Sequence, residues 1–170
     1  MSGCMEKYDF VVGVDPDAEK SGVAFLEVRS RKLEVTNLDF PHLLDYLSYA
    51  NKGAQKNKAK FIVVVEAGWM VNKSNFHQAQ GHRAERIAKD VGRNHETGRK
   101  IVEMCRYLGI PVLEHFPLKK IWKGKDGKIT MEELSYFTGL MGRTNQDARD
   151  AALLAWEFSG LPIRVKVGHC

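Results

Sequence analysis

Apolar and polar positions alternate along the chain in blocks that predict three strands, a helix, a strand, a helix, a strand and two closing helices. The run YDFVVGVD (8–15) is short and continuously apolar, SGVAFLEV (21–28) is a second such run, and KLEVTNL (32–38) alternates as a half-buried strand does. Pro16, Asp17 and Gly22 punctuate the first connection, which predicts a hairpin. In FPHLLDYLSYA (40–50), Leu43, Leu44, Tyr46 and Leu47 stand at helical spacing, and the polar NKGAQKNKAK then leads into KFIVVVE (60–66), a β-branched run read as the most deeply buried strand. The pattern assigns no element to the polar stretch 71–92. HETGRKIVEMCRYLG (95–109) predicts an amphipathic helix with Ile101, Val102, Cys105 and Leu108 on one face and Gly109 as its cap. IPVLEHF (110–116) is a fifth strand, TMEELSYFTGL (130–140) opens with a Thr130/Glu133 capping box, and NQDARDAALLAWEFSG (145–160) is a final helix. There is no internal repeat.

This order predicts an α/β fold with a mixed five-stranded sheet, antiparallel over its first three strands and flanked by helices. No linker-like stretch divides it, so residues 1–170 are expected to form one domain. Crossovers would set the fourth strand parallel to the first, with their C-terminal ends side by side. Those ends carry Asp15 and Glu66. A carboxylate at the tip of a buried strand is costly unless it meets a cation or a solvated cleft. For Asp15 alone, closing an Asp-Pro turn is the ordinary explanation, but Glu66 repeats the arrangement and so points to a shared site. Asp147 and Asp150, three apart, share a face in the first turns of the last helix. The helix dipole alone favours acids there, yet Ala148, Ala151 and Leu154 set this helix against apolar neighbours. Four converging carboxylates require hard divalent cations, and oxygen ligands without histidine suit magnesium or manganese. The chemistry that follows is phosphodiester hydrolysis with two ions about 3.5 to 4 Å apart.

Composition narrows the class. With 44% hydrophobic and 28% charged residues the chain reads as a globular protein, and its longest apolar runs are too short to span a bilayer. The first residues lack a secretory pattern and the three cysteines, Cys4, Cys105 and Cys170, are scattered, so a cytoplasmic protein with reduced thiols is expected. The net charge of +5 permits a polyanionic partner, and the basic residues gather in HRAERIAKDVGRNHETGRK and LKKIWKGKDGK. Taken alone such runs are ordinary solvated faces; beside the carboxylates they make Arg83, Arg93, Arg99, Lys119, Lys120, Lys123 and Lys128 candidate contacts to a phosphodiester backbone.

The segments GVDPDAEKSGVAF, VVVEAGWM and DARDAALLAW resemble the three acidic motifs of the RuvC family of Holliday-junction resolvases, which have the ribonuclease-H-like fold. The segment GRKIVEMCRYLGIPVLEHFPLKKIWKGKDGK is similar to that family's middle region. The resemblance implies an endonuclease that resolves four-way DNA junctions, with Asp15, Glu66, Asp147 and Asp150 as its catalytic, metal-binding residues. It implies that Trp69 stacks on bases near the junction centre, and that Lys119, Lys120 and Lys128 include the phosphate-contacting lysines. Two departures, Asp17 where the family has glycine and Ser21 where threonine is common, point to a distant branch of phage or mobile-element type. Paired, symmetry-related cuts imply a homodimer. The helix from His95 offers its Cys105/Leu108 face either to that interface or to the sheet.

Other signals weaken on inspection. KDGKITMEEL imitates half of a calcium loop, but Trp122 and Gly124 stand where oxygen ligands are required. His77, His82 and His95 match no zinc spacing, and Phe76 and Trp122 read as core aromatics. Three rival functions remain. An actin-like or sugar-kinase phosphate loop would need two such domains. A catalytically silent DNA-binding module would have no need of all four acids. A ribonuclease-H-like nuclease acting on another nucleic acid stays open.

Overall fold

The computed structural model describes residues 7–71 and 82–165; Cys4, Phe76, His77 and Cys170 lie outside them. The strands are β1 (Phe10–Asp15), β2 (Ser21–Glu27), β3 (Lys32–Leu38), β4 (Phe61–Glu66) and β5 (Val112–His115). The helices are α1 (Phe40–Lys56), α2 (His82–Tyr107), α3 (Met131–Thr138) and α4 (Gln146–Phe158). The sheet order is β3-β2-β1-β4-β5. β1–β2 and β2–β3 pair antiparallel, β1–β4 and β4–β5 parallel, which is the mixed sheet that the order of the elements predicts.

Alternation along the strands divides the core between the two faces of the sheet. On one face Val11, Ala24, Leu26, Ile62 and Val64 meet α4 and α3; on the other Val12, Val14, Val23, Val63 and Val65 meet α1 and α2. α3 begins with the expected box: Glu133 N–H donates to Thr130 Oγ1, while the Glu133 carboxylate accepts from Thr130 N–H.

Two helices are longer than the apolar pattern predicts. α1 continues to Lys56 because Asn51 and Ala54 turn inward within a stretch that reads as polar. α2 starts at His82, not near His95, and its first turns are mostly exposed, so charged residues surround Ala84, Ile87, Ala88 and Val91 and mask their helical spacing. The face of this helix offered for an interface is taken up by the sheet. Ile101, Val102 and Cys105 are buried there, and only Leu108 of that set is exposed. Among the described residues no helix is long and apolar enough to cross a membrane.

Candidate active site

Register places the first two acids. Val14 of β1 lies opposite Val65 of β4, so Asp15 and Glu66 follow as neighbours at the tips of adjacent parallel strands. The two-residue period puts them on the same face as Val11 and Val64, the face that α4 covers. α4 comes unusually close. Asp15 pairs with Gly22 of β2, and a Cβ on Gly22 would stand 2.0 Å from the Asp147 carbonyl oxygen. The start of α4 is pinned by Asn145, whose Oδ1 accepts from Ala148 N–H at 2.9 Å and from Asn37 Nδ2 of β3 at 3.0 Å.

The four carboxylates therefore feel one another. Burial raises the Asp15 carboxyl well above the carboxylate range, and Glu66, Asp147 and Asp150 add to the rise. Burial, then Asp150, pushes Glu66 up to about 7. Asp147 is raised by burial and by Asp17, while Asp15 beside it partly offsets the rise. Asp150 is buried and raised as well, eased by Gln146 Nε2, which donates to its Oδ1 at 2.8 Å, and by Lys128, 3.8 Å from its Oδ2. Glu66 Oε2 is buried with no hydrogen-bond partner among the described residues.

Among the described residues no three His, Cys, Asp or Glu side chains stand ready at ligand spacing. The donor chemistry nevertheless fits a hard cation: all-oxygen, mutually repelling and with one oxygen orphaned. Asp15, Glu66, Asp147 and Asp150 are the residues able to hold it.

The basic candidates separate. Lys128 acts on all four carboxylates, and Lys120 acts on Glu66. Lys119 and Lys123 are exposed on the same connection, and Lys123 N–H donates to Glu133. Arg83 and Arg93 are exposed on α2, while Arg99 lies over the Trp69 ring, 5.8 Å from its centroid. Trp69 follows β4 in the single turn Gly68–Met70, and its indole N–H donates to Glu114 at 2.9 Å. Asp17, the departure from the family motif, closes the β1–β2 turn, its Oδ1 accepting from Glu19 N–H and Lys20 N–H.

Asn94 and Gln146 escape a reading of the sequence, which takes His95 only as a histidine outside any zinc spacing. Asn94 Oδ1 accepts from Ala18 N–H at 2.9 Å and ties α2 to that turn. Asn94 and His95 also line a cavity of about 140 Å³ with Asp15, Glu66 and Trp69. Their one clue was position: both stand between Val91 and Gly98 on the inward face of α2. Gln146, which serves Asp150, carried no signal beyond lying one turn before it.

Neither a protein-family model nor a curated protein matches the chain. Solved structures do. Thermus thermophilus RuvC in complex with a Holliday-junction substrate is 18% identical over 87% of this chain and 91% of that one, with a TM-score of 0.46. A second Thermus thermophilus RuvC structure is 15% identical over 89% of this chain and 95% of that one, with a TM-score of 0.44. Both likenesses are distant.

Proposed function

We propose that this protein is a divalent-metal-dependent endonuclease that cuts branched DNA, with the four-way junction as substrate. The observation that supports it most is the cluster of Asp15, Glu66, Asp147 and Asp150 with its orphaned Glu66 oxygen. Burying these acids together without a cation is costly. Magnesium or manganese, two ions per site, would supply an activated water and stabilise the leaving oxygen. Asp15 and Glu66 hold the ligand oxygens on strand tips, where backbone hydrogen bonding fixes them, and Asp147 and Asp150 close the site from α4. Lys128 and Lys120 supply the positive charge that draws the scissile phosphate towards the acids. Arg83, Arg93, Lys119 and Lys123, exposed on α2 and on the connection after β5, are the proposed contacts to the flanking backbone.

Paired cuts need two sites, so the active form is proposed to be a two-fold homodimer. With Ile101, Val102 and Cys105 occupied by the sheet, the surface offered is the first turns of α2, where Ile87 is exposed.

The deciding experiment is cleavage of four-way junction, flap, duplex and RNA/DNA hybrid in magnesium, beside Asp15→Asn. Symmetric paired nicks in the junction are expected, with Asp15→Asn reduced to background while its junction affinity is kept or improved, because a negative charge facing phosphate is gone. Preferred cutting of the hybrid would move the substrate to RNA. No cutting of any of the four would refute the enzyme. Sedimentation at micromolar concentration should find a dimer on the junction.

A further inference from the structure

Trp69 is half-buried and is engaged by the protein on several sides. Its N–H is already used by Glu114, which in turn accepts from Arg106 Nη2 at 3.0 Å. Arg99 stands over the ring and His95 lies at a steep angle to it, 71° between planes with centroids 6.1 Å apart. The outer edge of the ring fills the space above Gly98: a Cβ there would come within 2.4 Å of Trp69 Cζ3 and 3.0 Å of Pro16 Cγ. Trp69, Gly98 and Pro16 thus meet at one point. Pro16 is bonded to Asp15, and Trp69 stands three residues after Glu66 on a segment whose Ala67 N–H still donates to His115 of β5. The indole therefore spans the two strand tips that carry the acids and locks both to α2.

We propose that Trp69 is a positioning residue that holds the Asp15 and Glu66 tips in register against α2, anchored by Glu114. The role rests on the nuclease reading above, since it concerns the geometry of that site. Swinging the ring out to meet a base would break the bond to Glu114, leave that acid with Arg106 alone, and open a void beside Gly98. Arg99 over one face and Gly98 at the outer edge hold the half-buried ring in this pose.

The test compares Trp69→Ala, Trp69→Phe and Glu114→Ala with the parent in two ways. Hydrogen exchange on the DNA-free protein reads the strand tips directly: faster exchange is expected at Ala18 and from Ala67 to Val71 in Trp69→Ala, with most of the protection restored in Trp69→Phe. Single-turnover cleavage in magnesium is then set against junction affinity measured in calcium. Misplaced ligands are expected to slow the bound complex about tenfold or more in Trp69→Ala and less in Glu114→Ala, with affinity within about twofold of the parent. Unchanged exchange in Trp69→Ala would overturn the proposal. So would affinity at least about tenfold weaker with the bound junction still cut at the parental rate, the signature of lost stacking. A parent protein that cuts nothing refutes the nuclease and leaves exchange to decide the positioning role.

Discussion

The two faces of the sheet are covered in different ways. On one, α4 lies almost backbone to backbone on β1 and β2: a Cβ on Gly13 would stand 2.3 Å from the Ala151 carbonyl oxygen, and α4 presents Ala148, Ala151, Ala152 and Ala155, all buried. On the other, α1 and α2 rest on a layer of valines through Leu43, Leu47 and Ile101. A layer of side chains can shift to absorb a change, whereas a backbone contact cannot. The rigid face is the one that ends in the four carboxylates. Holding acids from two strands and a helix within reach of one another demands a helix that cannot drift, and small residues provide it.

The largest expected effect breaks that contact. Gly22→Val drives side-chain atoms into the Asp147 carbonyl and should cost about 3 kcal/mol in urea unfolding, with loss of cleavage. A cost no greater than that of Ile101→Val on the opposite face would dissolve the distinction between the faces.

Next is pH. The Glu66 carboxyl, ordinarily near 4.5, is pushed up to about 7 by burial and Asp150, so between those values the folded state keeps a proton that the unfolded state has lost. Stability without metal is then fullest below pH 4.5 and declines until pH passes about 7. Glu66 alone accounts for about 3 kcal/mol at most. Thermal melts in a chelating buffer from pH 4.5 to 8 test the slope, and Glu66→Gln should flatten it. A parent slope of opposite sign would mean that the acids are not pressed together.

Metal should reverse this penalty. At pH 8, millimolar magnesium or manganese is expected to stabilise the protein by about 1 to 2 kcal/mol through preferential binding to the folded state, and Asp15→Asn should abolish the gain. An equal gain in the variant would place the ion elsewhere. The smallest effect belongs to the side-chain layer: Ile101→Val should cost about 1 kcal/mol and leave single-turnover cleavage unchanged.

How far the molecule could be read in advance differs between neighbouring residues. The five strands follow from β-branched runs and turn residues, and the α3 capping box follows from Thr130 and Glu133, because these are local interactions between residues near in sequence. The first turns of α2 were hidden because an exposed helix needs few apolar positions, and those it has lie among charges. Lys119, Lys120, Lys123 and Lys128 are alike as letters, yet it is Lys120 and Lys128 that stand among the main influences on the acids. Trp69 reads as an aromatic near the site, but its partner Glu114 lies 45 residues away on another strand.

The strands, the order of the elements and the four acids at strand and helix ends are legible in the chain alone, since periodicity and turn chemistry act over a few residues. Folding had to settle that the Cys105 face of α2 belongs to the sheet, that Gly22 lets Asp147 reach Asp15, that the Glu66 oxygen is left unpartnered, and that Trp69 is clamped against Gly98 and Pro16. Each of these depends on distances between segments far apart in the chain. Such distances are set by how closely layers pack, and packing depends on the shape of both partners at once.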